Sequence, residues 1–295
     1  MSVVAAEAVE ATVGASVPAV EVASVRRGTR GRRQHPLVRI RGELGPTWRL
    51  ALGAGGVLTV FALWMVVSAR MDDASSFLVP SPSATWDALT EMARAGTLRD
   101  DLVASFRRVG AGYAISVAIA FVVGIAMGSL ASAEALFEPL IGFLRYIPAG
   151  ALTPLFLLWL GIGESPKITL IVVGTVFYNI LMIADVARSV PRELINASST
   201  LGATRWRTLR SVIVPHSWPG VIDVARINLA AGWLMLVVAE LLAAQEGLAF
   251  RIVRAQRFRA IDTMFALLLV FAVIGLVSDL LLRRLRWVVG RWARP

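Results

Sequence analysis

Six stretches of this 295-residue chain are apolar over lengths that could cross a lipid bilayer. A hydrocarbon core of about 30 Å needs about 20 apolar residues in a helix. Leu50 to Ala69 meets this without a charged side chain, and Val109 to Ala131 follows, rich in Gly and Ala. A third run, Pro139 to Ile162, is interrupted by Pro148 and Pro154. Such breaks are tolerated where neighbouring helices or cavity water satisfy the freed backbone groups. Ile168 to Ala184, Val221 to Ala244 and Met264 to Leu282 complete the set. The fold class expected is all-α, a polytopic membrane protein of about six transmembrane helices. Composition agrees, with 57% hydrophobic and 17% charged residues, against about 45–50% and about 25% in soluble domains. An ordinary soluble enzyme and a disordered chain are both excluded. There are no cysteines, which removes thiol nucleophiles and disulfide scaffolds. His35 and His216 are far apart and lack carboxylate companions at ligand spacing, so no metal site is expected.

The net charge of +10 is carried almost wholly by arginine, with Lys167 the only lysine. Arginines beside apolar runs mark the cytoplasmic side of a membrane protein rather than a nucleic-acid surface. Residues 1–48 read as a disordered basic cytoplasmic tail, with Arg26, Arg27, Arg30, Arg32, Arg33, Arg39 and Arg41 in it; residues 49–295 read as one transmembrane domain. With the amino terminus inside, the loop around 188–215 (Arg188, Arg192, Arg205, Arg207, Arg210) and the C-terminal end also fall inside. Both termini are then cytoplasmic. The linker 131–138 falls inside too, and 70–107, 163–167 and 245–262 outside; the arginines of 245–262 fit this least well. Trp64, Trp159, Trp287 and Trp292 sit near span ends, where interfacial aromatics are favoured.

The informative segment is the inside loop, about 188–218. Leu194 to Leu201 reads as a short helix, with small residues on one face. Gly202 ends it at little cost, because glycine tolerates the left-handed conformation. Ala203 to Val214 reads as a second short helix with Pro215 at its end, so the two form a protruding knob. Asn196-Ala197-Ser198, then Gly202, Val212, Val214 and Pro215, match in spacing a signature of Glu-Ala-Ala, three residues, Gly, nine residues and Ile-x-Leu-Pro. On these residues the chain resembles the membrane permease subunit of bacterial ABC importers. It departs from the signature at Asn196 and Ser198, which replace Glu and the second Ala. The resemblance implies that Asn196, Ala197, Ser198, Leu201, Gly202, Ala203, Arg205, Trp206 and Pro215 belong to a coupling loop docking on a separate ATPase.

Arg145-Tyr146-Ile147-Pro148, Leu155 to Trp159, Gly161-Ile162-Gly163, Val237-Val238-Ala239-Glu240 and Gly247-Leu248-Ala249 extend the likeness over about residues 100–285. They are similar to the subgroup importing sulfonates, taurine, nitrate, bicarbonate or pyrimidine thiamine precursors. The resemblance implies a type I importer permease fold in a bacterial plasma (inner) membrane, probing no nucleic acid. It implies two permease subunits, here a homodimer in membrane lipid, two ATPase copies and an extracytoplasmic solute-binding protein. ATP is bound by the ATPase, and this chain needs no cofactor. A phosphate loop requires Gly, four residues, Gly-Lys-Ser/Thr. Gly161 to Ile168 fails at Pro166 and Ile168, so the chain is a transport subunit rather than an enzyme.

Polar groups inside spans face a cavity or a partner. Asn179, Asn228 and Glu240 are the candidates for the substrate pathway, with Arg251 or Arg254 as alternative partners of Glu240. Asp223 and Arg226, three residues apart, suit a structural ion pair. Gly110, Gly112, Gly124 and Gly128 suit close helix packing. Met182 and Met235 suit the core. The expected cargo is a small anionic solute, with an uncharged heterocycle as the alternative. A stand-alone secondary transporter is a further reading, but no internal repeat supports it.

Overall fold

The computed structural model describes residues 45–71 and 78–290, so most of the tail, Trp292 and the last arginines lie outside the described residues. The described residues form two units, one ending at residue 59 and the other beginning at residue 60. All regular structure in the described residues is helical. The first helix, α1 (Pro46–Ala69), has no buried residue. There follow α2 (Pro82–Arg94), α3 (Thr97–Ser129), α4 (Ala131–Leu144), a 3-10 turn (Ala149–Leu152), α5 (Thr153–Leu160) and α6 (Glu164–Arg188). Then come α7 (Arg192–Thr200), α8 (Arg205–Thr208), a π turn (Leu209–Ile213), α9 (Val214–Ala243), α10 (Leu248–Arg257) and α11 (Ile261–Val289).

The centre of residues 60–295 is the pair α3 and α6. A Cβ on Gly112 would lie 2.8 Å from the Ile171 Cβ, and one on Gly124 2.8 Å from the Ile180 oxygen; Gly128 meets Ala184 and Ala187 as closely. The matched residues rise together along both helices, so the two run parallel. Absent side chains are what allow this approach, the usual device for helix association in lipid. Gly110 does not share it, having open space around its missing Cβ.

Helix α9 runs antiparallel to α6, with Gly220 against Val186 and Met235 against Gly174. Helix α11 runs antiparallel to α9, with Arg226 bonded to Asp279 near one end and Trp233 against Phe271 further along. Parallel α3 and α6 require the chain between them to return across the full thickness. The α4–α5 segment, bent by 78°, is therefore one broken span rather than a re-entrant loop. With it, the helices long and apolar enough to cross a membrane number six among the described residues.

The elements differ from the expected ones in three places. The second span begins at Thr97, about three turns before the apolar run. Two charged residues of its first turns, Asp101 and Arg108, are buried inside the bundle, of which hydropathy alone gives no sign. Residues 131–138 are the first half of α4 rather than a linker. The third is Pro215, which ends no helix. The chain runs from α8 through the π turn into α9, with proline in the first turn of the latter. Proline lacks an N–H, and the π turn directly before it is where the regular ladder of hydrogen bonds is already interrupted.

Candidate functional site

Helix α3 carries a row of polar and small residues on part of its buried side, while the outer side of its membrane-crossing part is apolar. Asp101, Ser105, Arg108, Gly112 and Ser116 are all buried. Their spacing of three or four places them on one helical face. Val103, Phe106, Ile115, Ile119 and Val122 are exposed, as suits a helix meeting lipid on its outside.

At the start of α3 and α6 and the end of α9, this face builds a buried ion cluster. Arg108 is 1% exposed and Glu240 0%. Arg108 donates from Nε to Glu164 Oε2 at 2.7 Å and from Nη2 to Glu164 Oε1 at 2.9 Å. Its Nη1 reaches Glu240 Oε1 at 2.9 Å and the Glu246 carbonyl at 2.7 Å. Glu240 also accepts from Ser105 Oγ at 2.7 Å and from the Ala249 N–H at 2.9 Å. Lys167 Nζ donates to Glu164 at 2.8 Å. Asp101 holds Arg251 Nε at 2.6 Å and the Gly247 N–H at 2.8 Å. Arg108, Lys167 and Arg251 thus each meet a carboxylate, and Arg108 and Glu240 each make several further hydrogen bonds, the condition under which buried charge is tolerated. Gly247 has φ +127°, and a Cβ there would strike the Glu240 carboxylate. Glu240 therefore pairs with Arg108, and Arg251 belongs to Asp101, unlike the pairing expected for Glu240.

Midway along the bundle lies a second polar chain. Asn228 Nδ2 donates to Asn179 Oδ1 at 2.8 Å, and Asn179 Nδ2 to Ser116 Oγ at 3.1 Å. Ser116 Oγ lies 2.8 Å from Thr175 Oγ1. Tyr113 O–H donates to the Ala225 carbonyl at 2.7 Å. Asn179 is 0% exposed, while Asn228 is half-buried and also reaches Met182 Sδ at 3.2 Å. Within one copy of the chain, then, Asn179 and Glu240 face other helices, and Asn228 alone of the three retains exposure.

At the same depth, the break between α4 and the 3-10 turn carries Arg145. Its Nη2 donates to Tyr146 O–H at 3.0 Å, and its guanidinium lies 4.8 Å from the Tyr146 ring centre. The Arg145 Nε is buried and has no hydrogen-bond partner. The Arg145 carbonyl accepts from Tyr178 O–H at 3.4 Å.

The opposite end from the ion cluster holds residues 188–215. Helix α7 ends in a double hydrogen-bonded cap. The Ala203 N–H reaches the Ser198 carbonyl at 3.1 Å and the Gly202 N–H reaches Ser199 at 3.0 Å. This pairing is the Schellman arrangement and requires the left-handed residue that Gly202 supplies at φ +77°. Thr204 then caps α8 by accepting from the Arg207 N–H. Ser198 and Thr208 hydroxyls, 2.9 Å apart, tie α7 to α8. Between them lies a groove of about 410 Å³ lined by Leu194, Ala197, Ser198, Leu201, Arg207 and Val212, among others. Leu201 is 88% exposed and Trp206 69%. Asn196, Gly202 and Arg205 are exposed as well, Ala203 and Pro215 partly so. Behind this end, Asp223 lies 3.6 Å from Arg226 and 2.7 Å from Arg286, and Arg226 reaches Asp279 at 2.8 Å. The expected ion pair is thus part of a network joining α9 and α11.

Sequence reasoning missed Asp101, Ser105, Arg108 and Glu164. The three-and-four spacing of 101, 105, 108, 112 and 116 was the available signal, since it marks one polar and small face on a helix otherwise apolar.

Residues 116–286 match the family model described as the binding-protein-dependent transport system inner membrane component. A probable ABC transporter permease protein of Brucella melitensis is 35% identical over 242 residues, 82% of this chain and 94% of that protein. The taurine transport system permease protein of Escherichia coli is 33% identical over 250 residues, 83% of this chain and 90% of that protein. The inward-facing MetNI methionine ABC transporter shares the fold, with a TM-score of 0.54 at 22% identity, covering 64% of this chain and 95% of that one. The chain is a multi-pass membrane protein and belongs to the inner membrane components of binding-protein-dependent transport systems, the permease subunits of ABC transporters.

Proposed function

We propose that this permease imports a small anionic solute and that residues 192–215 couple it to a separate ATPase on the cytoplasmic side. The coupling reading rests on one observation above others. The end of the bundle opposite the buried ion cluster carries a groove with Leu201 and Trp206 exposed beside it. Large exposed apolar side chains ringed by arginine are the anchors that interfaces favour. The rigid α7 cap and the unbroken passage from α8 into α9 would carry a push on the groove into a membrane-crossing helix. Family membership implies an ATPase and an extracytoplasmic binding protein. Two copies of this chain would enclose the pathway, and closure of the ATPases would bias it between two packings. An oxyanion head on the cargo is supported by the taurine permease relative, because taurine, though zwitterionic, carries a sulfonate. ATP is bound by the partner, and this chain contributes no cofactor.

The test is uptake of taurine into vesicles holding the permease, its ATPase and its binding protein, with ATPase retention measured alongside. Gly202→Asp is expected to lower uptake about tenfold or more and to weaken ATPase retention, because it puts a negative charge at the C-terminal end of α7, where the helix dipole disfavours it, and on the exposed docking face. Uptake and retention equal to the wild type would overturn the coupling reading. Transport without the ATPase, driven by an ion gradient, would replace it with the secondary-transporter reading.

A further inference from the structure

Arg145 occupies a position in the bundle where a cation is costly. Helix α4 has 14 residues, so the break at its end lies about 21 Å along the span at 1.5 Å per residue. An independent marker agrees: the Arg145 carbonyl is bonded to Tyr178, which lies near the middle of the 25-residue α6. Arg145 is therefore near the membrane midplane. A charged side chain there faces protein or a watered cavity rather than lipid.

The other buried or half-buried cations, Arg108, Lys167, Arg226 and Arg251, are paired with carboxylates. Arg145 is different. Among the described residues no carboxylate pairs with it, and its Nε has no partner. One Tyr146 ring lies against the guanidinium and turns its hydroxyl to Nη2. Stacking of this kind orients the planar fork; with Nε buried, Nη1 and the second hydrogen of Nη2 are the donors left for an oxyanion, which that terminal edge meets in parallel. Tyr146 is 75% exposed and Tyr178 49%, so the face that carries Arg145 is open in a single copy of the chain. Two aromatic hydroxyls and one uncompensated cation at a helix break form a polar patch at mid-depth, where the outer faces of α3 and α11 present only apolar residues.

We infer that Arg145 is the mid-membrane contact for the anionic head of the passing solute, a sulfonate or similar small oxyanion, with Tyr146 positioning the guanidinium. This inference rests on the anionic-cargo reading above. It requires that Arg145 face a water-filled pathway and that its charge, rather than its shape, set the rate of uptake.

The native chain has no cysteine, so Arg145→Cys introduces a single reporter per permease chain, with the wild-type assembly treated alike as the control for cysteines of its partners. With taurine as probe, Arg145→Gln and Arg145→Cys are expected to lower uptake about tenfold, with ATPase retention unchanged, and Arg145→Lys to lose less. Aminoethyl methanethiosulfonate, which adds an ammonium, is expected to restore uptake in Arg145→Cys. The sulfonatoethyl reagent, which adds a negative charge, is expected to leave it low. If the wild type carries taurine and Arg145→Gln carries it equally well, the inference fails while the anionic-cargo reading stands. If the cysteine reacts with neither reagent, Arg145 is packed against lipid or a second copy, and the inference fails. If the wild type carries riboflavin but no taurine, both readings fail together. Should Arg145→Gln not assemble, Tyr146→Phe gives the second reading: a modest loss of uptake supports the positioning role, and none overturns it.

Discussion

Glu240 and Arg108 show what a residue can be asked to do inside a membrane bundle. Each alone would be an uncompensated charge out of water; Arg108 is held by groups from three separate segments and Glu240 by groups from two. Breaking such a pair by removing one partner costs about 3–5 kcal/mol. Glu240→Gln is thus expected to lower the melting temperature of the detergent-purified permease, while Arg108→Met together with Glu240→Met restores part of the loss. Equal destabilisation by single and double variants would contradict this account. Gly247 belongs to the same unit, because its left-handed φ and the carboxylate against it both exclude a side chain. Gly202 is different: nothing lies within 4 Å of its missing Cβ. Its requirement is for backbone conformation alone. Gly202→Ala is expected to cost about 1 kcal/mol, confined to the α7 end, and Gly202→Asn less. Hydrogen exchange at Ala203 would read this, with the bundle unchanged.

Among elements, the α3–α6 pair decides the packing. Their parallel register needs Gly112, Gly124 and Gly128 to remain small. Gly124→Val is expected to displace α6 or abolish assembly, at about 1–3 kcal/mol or more. Gly110→Val, in open space on the same helix, is expected to be near neutral. Membrane levels and thermal melts of the two variants check this directly, and equal effects would refute the register. The broken α4–α5 span follows from the same pair, since parallel neighbours demand a crossing between them. Its bend places a polar backbone and Arg145 where a straight apolar helix would place neither.

For the whole molecule, the two ends of the bundle are specialised differently. One is closed by the ion cluster with α10 packed over it, and the other presents the α7–α8 groove and a network of surface-facing ion pairs. If the coupling assignment holds, Leu201→Cys is labelled by a membrane-impermeant thiol reagent only from the cytoplasmic side and Glu246→Cys only from the outside. Labelling of both from one side would refute the topology. The absence of native cysteine makes the measurement free of background.

The spans, the broken third one, the Gly202 stop and the likeness to importer permeases were legible in the chain, because hydropathy and local backbone preference act over a few residues. The Asp223–Arg226 pair was legible for the same reason, being three residues apart on one helix. What the linear order could not supply were the long-range partners. Glu240 meets an arginine more than a hundred residues away, Asn179 turns inward onto Ser116, and α3 begins in charged residues that read as loop. Those outcomes depend on which face of each helix meets its neighbours. In lipid, burial of apolar surface does not discriminate between faces, so small residues and polar partners choose them, and these partners come together only in the folded bundle.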